Sequence, residues 1–240
     1  MSKPTLVGLS YSPWTQRARW ALDHHRVDHD FREYVPVVGE PGLRLRSGRL
    51  AGKVSVPVLF TADGAIGDSL AIAKYADRVG GGSRLYDGHE AAVERWAELA
   101  ERALHAARGL VIRAVDADRA AQRESVTLPM PDLLKGPTAR LGSAVLRWKW
   151  SASTTEAEGE ARIIEVLEQL RASVARTGSV DGTFSFADVI GAGVVQCIQP
   201  VADRWIPLGP ATRRAWTRPA LVERFGDLVA WRDRLFEQHR

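Results

Sequence analysis

Residues 10–22 read Ser-Tyr-Ser-Pro-Trp-Thr-Gln-Arg-Ala-Arg-Trp-Ala-Leu, with an apolar run at 6–9 immediately ahead. The run predicts a short strand over 4–9. Pro13 then falls where a helix would start. Proline suits the first helical position, because the N–H it lacks would have had no partner there. Ser12 becomes the N-cap, a position that favours serine. Trp14, Ala18, Ala21 and Leu22 recur at i, i+4, i+7 and i+8, one face of a helix over 13–25. A strand therefore feeds a helix through a tight turn carrying Ser12. A helix start offers unpaired N–H groups and a partial positive charge. A hydroxyl there is placed either to cap the helix or to help hold an anion, a thiolate included.

Outward from this unit, 28–34 alternates weakly and predicts a second strand. The Gly- and Pro-rich stretch 36–52 predicts a loop with at most a short helix. Val54-Ser-Val-Pro-Val-Leu-Phe60 is β-rich but interrupted by Pro57. A proline cannot donate to a central ladder, so it starts the strand or marks a special turn, a cis bond included. Asp63-Gly64 signals a hairpin, Ile66 begins a very short strand, and Asp68-Ser69 caps a helix with apolar face Ile72, Ala76 and Val79. Strands and helices alternating over the first 80 residues predict a compact α/β unit with a mixed sheet.

Beyond a linker at 80–88 the pattern is helical throughout. One helix is predicted over 90–115, with Val93, Trp96, Leu99 and Leu104 inward, then a stretch over 116–136, polar and then punctuated by Pro129 and Pro131, that contains a break or an insertion. A second is predicted over 137–150, with Leu141, Val145 and Trp148 inward. Thr155-Glu-Ala-Glu158 and Ser185-Phe-Ala-Asp188 both fit capping boxes. The helix behind the first aligns Ile163, Val166, Leu167, Leu170 and Val174. The run behind the second, 189–198, is apolar nearly all round, which places it at the centre of a bundle. A last helix is predicted over 219–237, burying Leu221, Phe225, Leu228 and Leu235.

Composition narrows the function. The chain of 240 residues is 45% hydrophobic and 26% charged, an ordinary globular balance. No apolar run approaches the ~18 residues of a membrane span, and Met-Ser-Lys-Pro-Thr at the start lacks the apolar stretch of a signal peptide. With Cys197 the one cysteine, an internal disulfide and a cysteine metal cluster are excluded, and the scattered His residues lack metal-ligand spacing. The net charge of +4 is spread among interleaved acids, which argues against nucleic acid. Arg44, Arg46, Arg49 and Lys53 form the locally unbalanced stretch, placed to meet a small anion. Phosphate-binding loops, dinucleotide fingerprints and Gly-x-Ser-x-Gly elbows are missing. A cytoplasmic protein without metal, membrane or nucleic-acid partner is expected.

Taken singly, Ser12, Val56-Pro57 and Asp68-Ser69 are each compatible with plain capping or strand-start roles, and Cys197 with an inert core thiol. In order, a strand ending in Ser-Pro-aromatic, a helix, Val56-Pro57-Val58-Leu59, Asp68-Ser69 opening a third helix, and an all-helical second half resemble the glutathione S-transferase superfamily. The stretch Ser12-Pro13-Trp14-Thr-Gln-Arg17-Ala-Arg19 is similar to the active-site turn of the Tau and Omega classes, which carry Ser and Cys respectively at the position of Ser12.

The resemblance implies a thioredoxin-like α/β domain over 1–80 that binds glutathione, and an all-α helical-bundle domain over 88–240 that contributes an electrophile site. It implies that Ser12 stabilises the thiolate of glutathione, the co-substrate. Val56 before cis Pro57 would bind the cysteinyl backbone, Asp68 and Ser69 the γ-glutamyl end, and Lys53 would assist. Tyr11, Trp14 and the apolar residues near 96–108 read equally as walls of a pocket for a hydrophobic electrophile or as core. It further implies a homodimer and a detoxifying transferase. The alternative is a non-catalytic ligand-binding or interaction module on the same fold; a thiol–disulfide enzyme would need a cysteine where Ser12 stands. The sequence departs from the family in Asp68, where Glu is usual in many classes, and in a long, irregular 116–153 region.

Overall fold

The computed structural model describes residues 3–36, 38–49, 51–52, 54–125 and 155–240. The α/β half comprises β1 (Thr5–Gly8), α1 (Pro13–His24), β2 (Asp30–Glu33), α2 (Glu40–Ser47), β3 (Val58–Thr61), β4 (Gly64–Gly67) and α3 (Ser69–Val79). The sheet runs β2-β1-β3-β4, with β1 parallel to β2 and the other pairs antiparallel. The parallel pair needs a crossover, which α1 supplies.

Alternation of side chains across each strand sorts the layers. Leu6 and Leu59 pair across β1 and β3 and are buried with Ala18 and Leu22 of α1 and Ile72 and Ala76 of α3. Val7 and Val58, the next pair, point to the other face and pack with Leu43 of α2. Gly8 lets α1 close on the sheet: a Cβ there would lie 2.5 Å from Thr15 Cγ2.

Two expectations change here. The stretch 36–52 contains a full helix, α2, anchored by Leu43 alone and braced by Arg44 on Glu40 at 2.8 Å. A single buried residue gives no apolar period to read. Val79 is not on the buried face of α3 but half exposed; Asp77 is inside instead. Its carboxylate accepts the backbone N–H groups of Leu85, Tyr86 and Asp87 at 3.1, 2.9 and 2.9 Å, and lies 2.5 Å from His25 Nε2. A buried carboxylate is tolerable when its oxygens are paired in this way. It fixes the segment leaving α3 onto the α/β half.

The described residues beyond this segment form only helices: α4 (Glu90–Ala117), α5 (Arg119–Glu124), α6 (Glu156–Thr177), α7 (Phe186–Val195), α8 (Pro210–Trp216), α9 (Pro219–Arg224) and α10 (Gly226–His239). The helix predicted over 137–150 lies outside the described residues. Both capping boxes form, Thr155 with Glu158 and Ser185 with Asp188. Every residue of α7 is buried, as its composition requires. The last predicted helix is two, broken at Phe225, whose φ of −118° and ψ of 30° leave the helical region before Gly226.

Candidate functional site

β1 ends, β3 begins and β4 ends at one edge of the sheet, because Val7 pairs with Val58 and Val58 with Gly67. Three sequence candidates issue from that edge side by side: the Ser12 turn after β1, Val56-Pro57 before β3, and Asp68-Ser69 after β4. Two strand spacings separate the outer ones, about 10 Å. The Val56–Pro57 bond is cis. The topology, and not any single residue, assembles the site. Lys53 lies outside the described residues.

Ser12 stands at the N-cap of α1 with φ −71° and ψ 129°, mostly buried at 8% exposure. Its backbone N–H donates to the Leu9 carbonyl and its carbonyl accepts from Gln16, both at 2.9 Å. Its hydroxyl makes no cap bond, and no acid lies in the first turn. The plain capping role is therefore not performed, and the positive helix start is not neutralised within its own turn.

Asp68 has φ 59° and ψ 159°, a region that non-glycine residues occupy at a cost of about 1–3 kcal/mol. Its carboxylate caps α3 through the Ala71 N–H at 2.8 Å. Ser69, the first residue of α3, is buried. Over this junction lies Arg49: a Cβ on Gly67 would meet its guanidinium at 3.6 Å. The basic stretch thus divides. Arg44 pairs with Glu40, Arg46 stacks on Phe60 with 4.2 Å to the ring centre, and Arg49 reaches the site edge.

On the helical side, Trp14 Nε1 donates to Glu101 of α4 at 2.5 Å. Glu101 also faces Arg17 Nη1 at 3.6 Å and His105 Nε2 at 3.3 Å. Arg108 lies over the Trp14 ring at 5.5 Å. Arg17 is buried, and its guanidinium occupies space left by Gly193 of α7, where a Cβ would be 3.3 Å from Nε. Burial lowers its pKa to about 10 against the opposing pull of Glu101, so it remains charged at neutral pH. The Tyr11 ring meets Trp216 of α8 edge-on at 5.5 Å. Burial, with Glu33 adding to it, pushes the Tyr11 hydroxyl up to about 12. Tyr11 and Trp14 thus both lie against the helical half.

Cys197 is buried, and burial pushes its thiol up to about 12 despite Arg17 and Arg218. It carries no thiolate at neutral pH. Among the described residues no group of His, Cys, Asp and Glu has the makings of a metal site, and no helix is long and apolar enough to cross a membrane.

Residues 11–79 match the family model of the glutathione S-transferase N-terminal domain. The whole chain superposes on solved glutathione S-transferases. A Methylobacterium radiotolerans enzyme in complex with glutathione sulfonate is 17% identical, with TM-score 0.62 over 99% of this chain and 92% of that one. One from Rhodospirillum rubrum F11 is 20% identical, with TM-score 0.57 over 95% and 86%. Maize glutathione S-transferase I, complexed with an atrazine glutathione conjugate, is 22% identical, with TM-score 0.53 over the full length of both. The chain has the glutathione S-transferase fold. No curated protein matches it in sequence. In this fold the α/β half is the thioredoxin-like domain and the rest its helical domain.

Four residues at this site carried no readable signal: Glu33, Gln16, Glu101 and Trp216. The Glu33 carboxylate accepts the Ser10 N–H at 3.0 and 3.2 Å, at the end of an exposed strand where an acid is unremarkable. Glu101 and Trp216 approach the turn only through the fold, across 87 residues of sequence in the case of Trp14 and Glu101.

Proposed function

We propose that this protein is a glutathione transferase in which Ser12 and the start of α1 hold the thiol of bound glutathione as a thiolate. The thiolate attacks a hydrophobic electrophile seated against Tyr11, Trp14 and the helical half; a carbon–sulfur bond forms and, with an aryl halide, halide leaves. The observation that carries this reading is the Ser12 hydroxyl, at a helix start with no acid in the first turn and making no cap bond. Lowering a thiol pKa by about two units takes roughly 2.7 kcal/mol of preference for the anion. A hydrogen bond to a charged group supplies about 1.5–3 kcal/mol and a helix start about 0.3–1 kcal/mol. Together they suffice without a general base.

The other roles follow the sheet edge. Val56 before Pro57 meets the cysteinyl backbone of glutathione. Asp68 takes the ammonium of the γ-glutamyl end, and Ser69 takes its carboxylate. The strained backbone at Asp68 supports a ligand role there, since strain of this kind gathers at binding sites. Lys53 and Arg49 are assigned to the anionic end of the ligand. Residues 1–80 form the glutathione-binding domain and 88–240 the domain contributing the electrophile site. The assembly is a homodimer, the setting cytoplasmic and the reaction a detoxifying one closest to the Tau class.

Calorimetric titration with glutathione, followed by turnover of aryl halides and activated alkenes, tests the reading. Binding at millimolar or tighter affinity with conjugate formation is expected. Binding without turnover would leave a ligand-binding module, and no binding would end the proposal.

A further inference from the structure

The peptide that leads into Ser12 is gripped on both sides. The Ser10 N–H donates to the Glu33 carboxylate, and the Ser10 carbonyl accepts from Gln16 Nε2. Gln16 is 2% exposed, so its amide has no water to turn to. Its oxygen accepts from Arg240 Nη1 at 2.5 Å. The donor and acceptor inventory fixes this orientation. A guanidinium only donates, so the Gln16 atom facing Arg240 must be its oxygen, and the amide nitrogen must then face Ser10. Arg240 is itself held, with 6% of its side chain exposed, 4.0 Å from Asp23 and over the rings of Trp20 and Phe236 at 5.8 and 5.6 Å. The preceding residue is anchored too, as Trp20 Nε1 donates to the His239 carbonyl at 3.1 Å.

We propose that Gln16 is a positioning residue for the Ser12 turn, with Arg240, beyond the end of α10, setting which way its amide points. The inference rests on the proposed role of Ser12. Gln16 touches neither thiol nor electrophile in this scheme. It holds the Ser10 carbonyl so that the Ser12 hydroxyl is presented where a thiolate at the start of α1 would lie. A hydroxyl displaced by a fraction of an ångström loses most of a charge-assisted hydrogen bond, and misplacements of about 1 Å cost up to ~10²-fold in rate. Burial lowers the Arg240 pKa to about 10 despite the help of Asp23, so it stays charged and a donor through neutral pH.

The substitution that separates positioning from packing is Gln16→Glu. It keeps the shape and the acceptor for Arg240 but sets a carboxylate oxygen against the Ser10 carbonyl in place of a donor. Wild type, Gln16→Glu and Arg240→Ala are compared by ultraviolet absorbance of the thiolate of bound glutathione across pH, and by amide proton shifts of residues 10–12. The expected result for Gln16→Glu is a thiol pKa raised by about one unit, a roughly tenfold lower kcat/KM at pH 7 that recovers at alkaline pH, an unchanged KM for glutathione, and shifted amides at 10–12. Arg240→Ala is expected to move the same signals in the same direction by a smaller amount, and serves as the readout if Gln16→Glu does not fold. Unmoved amides at 10–12 and an unmoved thiol pKa in the folded variants would overturn the proposal. A wild type that binds glutathione with no thiolate band would instead overturn the role of Ser12, and the amide shifts would still decide whether Gln16 holds the turn.

Discussion

Replacing Asp77 by Asn should loosen the junction between the two halves of the molecule. The wild-type carboxylate serves three backbone N–H groups, of Leu85, Tyr86 and Asp87, and faces His25. An asparagine offers one acceptor oxygen and turns an NH₂ toward the remaining donors, so at least one buried N–H loses its partner. An unsatisfied buried donor costs about 1–3 kcal/mol, and the close contact with His25 is disturbed as well. The expected loss is therefore about 3 kcal/mol, measured by urea unfolding followed through tryptophan fluorescence at pH 7. The pH dependence has a definite sign. Burial alone would raise the Asp77 pKa, but the three backbone donors and His25 outweigh it and hold it below its ordinary value of 3.8. A depressed carboxylate contributes stability above the unfolded pKa, and that stability is lost as pH falls through the folded one. The wild-type advantage over Asp77→Asn should persist from pH 7 to about 5 and fade only in the acid range below 4. A loss under about 1 kcal/mol, or one that grows on acidification, would refute the bonding scheme.

Ser69→Ala should weaken glutathione binding about tenfold, as expected for loss of a hydrogen bond to a carboxylate, with little change in unfolding free energy. Unchanged affinity by calorimetry would reduce Asp68-Ser69 to a helix start. Light scattering at micromolar concentration should give twice the chain mass of 26.4 kDa; the mass of one chain would refute the homodimer. Ser12→Cys should form a mixed disulfide with glutathione disulfide, since a thiol at a helix start has a lowered pKa. Failure of that variant to react faster than Cys197 would place Ser12 away from the ligand sulfur.

What the sequence yielded and withheld follows from the reach of each interaction. Pro13 behind Ser12, the Asp68 cap and both capping boxes are local, within four residues, and all were legible. So was α7, whose apolar composition on every side leaves it nowhere but the centre. The short helices α2 and α8 were not, because each buries too few residues to show a period. The break at Phe225 was hidden by apolar spacing that continues through it. At the site, the turn and the Asp68-Ser69 pair were readable as motifs. Arg49 stands in the sequence only as one of a basic stretch, and it is the fold that sets it apart from Arg44 and Arg46. Glu101, Gln16 and Trp216 meet the turn through contacts that no spacing rule describes.

The central claim is that Ser12 donates a hydrogen bond to the thiolate of glutathione and never becomes a covalent nucleophile. A pH–rate profile of wild type and Ser12→Ala on an aryl halide tests it most directly. The account predicts that Ser12→Ala still binds glutathione, that its thiol pKa rises by about one to two units, and that conjugation falls most near pH 7 and recovers partly where the thiol ionises unaided. A Ser12→Ala variant that conjugates as fast as wild type at pH 7 would contradict it.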